Sequence, residues 1–143
     1  MTEEHLYWAL VDARWVDDAN FAKGPLEFFR RLPALLRPIA VPLIRRKIRN
    51  ALHAQGMGRH APAQIGELGV RSIDAMADSL GNKPFFMGAE PTGVDATIFA
   101  FTVGVLCPTF ETPLRSAAER HANLKAYVAR MIARYYPDWP RPG

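Results

Sequence analysis

An all-α fold, a bundle of about five or six helices, is what this chain predicts, and three observations predict it. Apolar residues recur at three- and four-residue spacing along several separate segments. No stretch alternates apolar and polar residues in the manner of a strand. Prolines and glycines fall between the periodic segments, where they stop one helix or open the next. With 143 residues, 16.0 kDa and 49% hydrophobic residues, the chain has material for one domain with a real core.

The first helix is expected from Thr2 to about Asn20, opened by Glu3 and Glu4, whose charges suit the positive end of the helix dipole. Leu6, Leu10 and Ala13 form one apolar row, and Tyr7, Val11 and Trp15 a neighbouring one. His5, Trp8 and Asp12 lie along an adjoining edge. That polar and aromatic strip is the first candidate for a ligand surface; the alternative is a packed Trp with solvated neighbours. Lys23-Gly24-Pro25 breaks the helix. From Leu26 to Ala54 the helical pattern is punctuated by Pro33, Pro38 and Pro42, each lacking a backbone donor. Short helical pieces are expected there, then one regular helix from about Pro42 to Ala54.

Gly56-Met57-Gly58-Arg59-His60 reads as a turn, and Pro62 stands where a first helical residue belongs. Ile65, Leu68, Gly69, Ser72, Ile73, Met76 and Leu80 then mark a helix from Pro62 to Leu80, ended by Gly81. Asn82 to Glu90 is a loop whose Phe85 and Phe86 must pack on something. Pro91-Thr92-Gly93-Val94-Asp95 opens the helix expected to be the most buried. Its Thr92 and Asp95 have the spacing of a capping box, in which side chain and backbone N–H are satisfied reciprocally across the first turn. Val94 to Leu106 carries no charge after Asp95, which suits a helix packed on most sides. Pro108 and Pro113 bracket a turn before a short helix over Leu114 to Arg120. The last helix runs from Leu124 to Tyr135, with Leu124, Tyr127, Val128, Met131 and Ile132 inward and Lys125, Arg130 and Arg134 outward. Residues 1–137 are thus one helical domain and 138–143 a Pro-rich tail.

Charge is unevenly distributed. Between Glu27 and Glu67 there is no acidic residue, while Arg30, Arg31, Arg37, Arg45, Arg46, Lys47, Arg49 and Arg59 all fall inside. This excess of +8 against a net +4 for the chain leaves −4 elsewhere, so the domain is polarised. A weak contact with an anionic membrane through the Arg30 to Arg59 segment is one use for it, and a solvated basic face is the other. Specific nucleic-acid binding is not expected.

Cys107 is the single cysteine, which excludes an internal disulfide and suits a reducing, cytoplasmic setting. Between Leu106 and Pro108 it is expected to be buried and inert. His5, His53, His60 and His121 lack ligand spacing, so no metal site is expected. Phosphate loops, dinucleotide fingerprints and nucleophile elbows are absent from the sequence. The longest apolar runs fall far short of the ~20 residues of a membrane-spanning helix.

Two stretches, Leu80-Gly81-Asn82-Lys83-Pro84-Phe85-Phe86-Met87-Gly88 and Pro91-Thr92-Gly93-Val94-Asp95-Ala96, resemble the C-terminal helical domain of the glutathione S-transferase superfamily. Three more narrow the match: Glu3-Glu4-His5-Leu6-Tyr7-Trp8 with Arg14-Trp15, Gly56-Met57-Gly58-Arg59-His60, and Pro113-Leu114 through Asn123-Leu124 to Arg134-Tyr135. Together they look like the failed-axon-connections and metaxin branch. The resemblance implies that a thioredoxin-like domain, absent here, precedes the helical domain and holds the catalytic residue and most of the glutathione site.

Under that resemblance this chain is the co-substrate-pocket half of a glutathione transferase-like protein, with no catalytic residue and no cofactor of its own. Glutathione would be used only with the thioredoxin-like partner domain. His5, Trp8, Asp12, Arg14 and Trp15 are the pocket candidates, Arg14 either binding an anionic ligand or pairing with an acid inside the bundle. The competing reading is a non-catalytic, metaxin-like interaction or membrane-surface module. In either case the Trp8 and Trp15 side of the first helix is expected to be exposed and to drive formation of a homodimer; the alternative is a monomer whose tryptophans are covered by the Leu26 to Pro42 segment folding across them.

Overall fold

The computed structural model describes residues 2–138, with side chains from Glu4 onward. The expected tail at 138–143 therefore lies, beyond Asp138, outside the described residues. Seven α-helices run in the order α1 (Tyr7–Trp15), α2 (Asp18–Lys23), α3 (Arg37–Gln55), α4 (Pro62–Leu80), α5 (Gly93–Val105), α6 (Pro113–Arg120) and α7 (Ala122–Tyr135). A π-helical turn, Thr2–Leu6, precedes α1, and 3-10 turns cover Pro25–Arg31, Ala34–Leu36 and Met57–Arg59. No strand occurs among the described residues.

The hub is α4, which packs on α1, α6 and α7. It buries Ile65, Gly69, Ser72, Ile73, Met76, Ala77 and Leu80, a repeating set at helical spacing that forms a continuous apolar face. Pro62 opens the helix, and the Gln64 side chain accepts a hydrogen bond from the Ala61 N–H at 3.0 Å. Gly69 is needed because α6 approaches closely: a Cβ there would stand 2.8 Å from Leu114 Cδ1. At the other end Gly81, at φ +54°, stops α4 in a backbone region that other residues rarely adopt.

Two expected boundaries move. The single first helix becomes α1 and α2, since the chain turns at Val16-Asp17 and Asp17 caps α2 by accepting from the Asn20 N–H at 2.8 Å. The regular helix expected from Pro42 begins instead at Arg37, with Pro42 inside it. Pro42 sits in the second turn, where its missing N–H costs only the bond to the carbonyl of exposed Pro38, which water can satisfy. The remaining helices fall within two residues of expectation.

The capped helix departs from expectation in burial. In α5 only Asp95, Thr102 and Val105 are buried, and Val94, Ala96, Thr97 and Ala100 are exposed. An uncharged sequence was compatible with packing on most sides, but α5 packs chiefly on α6 and α7, and its other flank lines grooves.

Candidate functional site

The best-connected polar group in the molecule is Asp95, fully buried at the start of α5. Of the expected reciprocal cap the Asp95 half forms, its carboxylate accepting from the Thr92 N–H, while the Thr92 side chain accepts from no backbone N–H at this cap. The Thr92 N–H donates to Asp95 Oδ2 at 2.8 Å, the Thr92 hydroxyl donates to the same oxygen at 3.1 Å, and the Asp95 N–H donates to the Thr92 carbonyl at 3.0 Å. Asp95 Oδ1 accepts from the Phe86 N–H at 2.9 Å, and the Tyr127 hydroxyl donates to the Asp95 carbonyl at 2.9 Å. One residue therefore ties the Phe85–Phe86 loop, α5 and α7 together. Burial by itself pushes the Asp95 carboxyl up, but the bonds its carboxylate accepts from Phe86 and Thr92 hold it below the ordinary value. Tyr127 moves the other way, raised by burial first and by the adjacent Asp95 charge second. Every close partner of Asp95 is structural, and the cluster lines no cleft through a free acid or base.

The two aromatic residues of the loop it holds pack as expected. Phe85 and Phe86 are buried, Phe86 edge-on to Tyr127 with centroids 5.2 Å apart, while Met87 is exposed. The residues of the loop are fixed by paired bonds of 3.1 Å between Phe85 and Gly88 and by Lys83 Nζ donating to the Phe86 carbonyl at 3.0 Å.

A cleft of about 360 Å³ lies between α1 and α5. Tyr7, Val11, Arg14 and Trp15 recur at helical spacing, so they share one side of α1; Leu10 is at its floor, and Ala100, Phe101 and Gly104 form the α5 wall. The polar feature at its edge is Arg14. Its guanidinium stands 4.6 Å over the Phe110 ring and donates through Nη2 to the Gly104 carbonyl. Its buried Nε has no hydrogen-bond partner, and no carboxylate pairs with it among the described residues. Burial lowers its pKa from the usual arginine value, which leaves it a cation at neutral pH.

The other four expected pocket residues are not gathered with equal closeness. Trp15 lines the same cleft, stacked on Phe28 with centroids 6.4 Å apart and tilted against Phe21 at 6.0 Å. Trp8 is half-buried against the core, edge-on to Tyr7 at 5.0 Å. Asp12 faces away from the cleft, toward a second hollow of about 370 Å³ with Val16, Arg49, His53 and His60. Burial first, and Asp17 second, raise its carboxyl above the ordinary value. His5 is exposed on the π-helical turn. The tryptophan side of α1 is therefore only partly exposed: Phe28 of the Pro25–Arg31 turn covers Trp15. Cys107, expected to be buried, is partly accessible.

Two features escape a reading of the sequence. A larger groove of about 620 Å³ runs between α5 and α7, walled by Ala96, Phe99, Ala100, Val103, Met131 and Tyr135 among others. Its only sequence signal is the pair of small residues, Ala96 and Ala100, one turn apart. Asn20 is buried on α2 and exchanges two 3.0 Å bonds with the Glu111 backbone, closing α2 onto the segment before α6. No group of three or more His, Cys, Asp and Glu is assembled for a metal among the described residues, and no helix among them is long and apolar enough to cross a membrane.

This all-α bundle is consistent with a glutathione S-transferase C-terminal-like domain. The family model "Glutathione S-transferase, C-terminal domain" matches residues 69–131. The chain is 33% identical over 103 residues, 70% of its length and 43% of the relative's, to the isoprene-epoxide glutathione S-transferase of Rhodococcus sp. (strain AD45). It is 30% identical over 151 residues, 97% of its length and 36% of the relative's, to Failed axon connections of Drosophila melanogaster. It is 26% identical over 94 residues, 65% and 36% of the two lengths, to Metaxin-2 of Mus musculus. No solved structure matches it significantly. The chain belongs to the glutathione S-transferase superfamily, in its failed-axon-connections and metaxin-like branch. It spans less than half the length of these curated relatives.

Proposed function

We propose that this domain forms the co-substrate wall of a glutathione S-transferase-like protein, with the α1/α5 cleft holding an apolar electrophile. The observation that carries this reading is the cleft itself: an aromatic and aliphatic lining with one desolvated cation, Arg14, at its edge. Arg14 would orient an electron-rich or anionic part of the ligand, since its Nε is unsatisfied and no acid competes for it. Similarity to a relative named as an isoprene-epoxide glutathione S-transferase supports the same substrate class.

Glutathione itself does not fit the residues present. A tripeptide with two carboxylates and an ammonium group needs several charged and backbone partners, and the cleft offers Arg14 and the Tyr7 hydroxyl. No thiol-activating step is assigned to this chain, and glutathione and its activation fall to a thioredoxin-like partner domain. A cytoplasmic, reducing setting goes with this reading, given a single unpaired cysteine.

Trp15 lines the cleft, so its emission is a built-in reporter. Titration with an aromatic electrophile such as a chlorodinitrobenzene is expected to quench fluorescence saturably, with the response lost in Trp15→Phe and weakened in Arg14→Gln. Conjugation to added glutathione by this chain alone is expected to be no faster than the uncatalysed rate. Quenching that is linear in ligand, or unchanged in Trp15→Phe, rejects the cleft as the binding site.

A further inference from the structure

Phe28 and Met87 are exposed singly, but the longest run of exposed aliphatic side chains lies in the turn before α3 and the N-terminal half of α3. Leu35 is 88% exposed, Ile39 69% and Leu43 64%, with Leu36 and Ile44 exposed beside them. Leu36, Ile39 and Leu43 follow one another at spacings of three and four, so they share one helix face; the next positions on that face are Arg46 and Lys47. One stripe thus passes from aliphatic to cationic along the axis of a single helix. Leu52 is the only buried residue of α3.

The cations around the stripe divide into two groups. Arg45 is committed inward: it bonds the Trp15 carbonyl at 3.1 Å, the Val16 carbonyl at 2.7 Å and Asp18 at 2.6 Å, and lies 4.5 Å over Phe21. Arg37 is likewise committed, to the Leu32 and Arg30 carbonyls at 3.0 and 2.7 Å. These two pin the segment to the bundle. Arg31, Arg46, Lys47 and Arg49 are exposed and form no ion pair among the described residues. No carboxylate occurs between Glu27 and Glu67 to neutralise them.

We propose that this stripe is a docking surface for an anionic lipid bilayer: Leu35, Leu36, Ile39 and Leu43 enter the acyl boundary while Arg46, Lys47 and Arg31 meet the headgroup charge. Charge selects this occupant. A two-fold contact with a second copy would set two unneutralised cationic groups against each other, and an apolar partner surface would leave them unused, whereas an anionic membrane satisfies both halves of the stripe. A helix lying in the interface needs no membrane-spanning length, consistent with the absence of such a helix among the described residues. The proposal is independent of the α1/α5 cleft.

Co-sedimentation of the purified chain with phosphatidylcholine vesicles containing about a third phosphatidylserine tests it. Binding is expected to these vesicles, and to fall steeply with added salt and on pure phosphatidylcholine. Replacing Arg46 and Lys47 together by Gln is expected to weaken partitioning by about fivefold for each charge removed. Ile39→Ser and Leu43→Ser are each expected to lower it by about tenfold or more. Both side chains are exposed, so circular dichroism and melting of these variants should match the parent, which separates lost docking from lost folding. Equal binding to neutral and anionic vesicles, or variants that bind as the parent does, would overturn the proposal. So would sedimentation velocity showing a dimer that Ile39→Asp dissociates, in a chain that binds no vesicle, because a second copy would then be the occupant.

Discussion

Helices α3 and α4 are each 19 residues long, and they use that length in opposite ways. Each carries six large apolar side chains: Ile39, Val41, Leu43, Ile44, Ile48 and Leu52 in one, Ile65, Leu68, Val70, Ile73, Met76 and Leu80 in the other. Yet α4 buries seven residues and α3 one. The difference is not apolar content but neighbours. Small residues at Gly69, Ser72 and Ala77 let α6 and α7 close onto α4, whereas α3 leaves its aliphatic half uncovered among the described residues. An apolar face that meets partners becomes core, and the same composition without them becomes a surface available for docking.

Substitutions of matched chemistry should break the two helices unequally. The largest expected effect is Ile73→Ala, which removes a fully buried side chain and should cost about 2–5 kcal/mol in denaturant titration. Its counterpart Ile39→Ala should lie within about 0.5 kcal/mol of the parent. Comparable losses at the two positions would show that the α3 stripe is covered within the domain after all.

Asp95→Ala should come next, at about 1–3 kcal/mol, because it strands the buried Phe86 N–H donor and removes the acceptor of the partly buried Thr92 N–H. Thr92→Ala should cost less, about 0.5–2 kcal/mol, and the double variant less than the sum, since the two residues share one set of bonds. The same site gives a pH signature. With its folded pKa below the unfolded value, Asp95 contributes stability that is present above the unfolded pKa of about 4 and is lost as pH falls through the folded pKa. Asp95→Asn should flatten the acid limb of stability against pH, and an unchanged limb would assign the titration elsewhere. Tyr127, raised, should contribute stability below the unfolded pKa of about 10 that is lost as pH rises toward its folded value.

A further pair of substitutions tests the contact that makes α4 the hub. Gly69→Ala should cost about 1–3 kcal/mol, since the new methyl meets Leu114 Cδ1 at 2.8 Å and α6 or the Leu114 rotamer must shift. Gly66→Ala, whose Cβ would stand 3.6 Å from Pro113 Cγ, should be close to neutral or slightly stabilising in the same assay. Equal effects would mean that the α4–α6 approach is looser than this packing.

Residues within a few positions of one another determined much of this protein on their own. Pro62 and Gly81 bound α4, Asp95 bonds back to the Thr92 N–H at the start of α5, and Leu124, Tyr127 and Met131 face inward on α7, as expected from spacing and local hydrogen bonding alone. Such features depend on backbone donors, proline chemistry and helical period, all of which operate within about four residues. What only the tertiary structure decided was which faces found partners across long separations. Asp95 reaches Phe86 and Tyr127 as well as its own helix turn; Arg14 meets Phe110 and the Gly104 carbonyl instead of an acid; Asp12 turns away from the cleft that Arg14 and Trp15 share. Trp15 lies under Phe28, which leaves the tryptophan side of α1 partly covered, while the most exposed aliphatic side chains lie on and just before α3. Periodicity marks an apolar face, but burial requires another segment to arrive on it, and that arrival is set by the packing of the whole bundle.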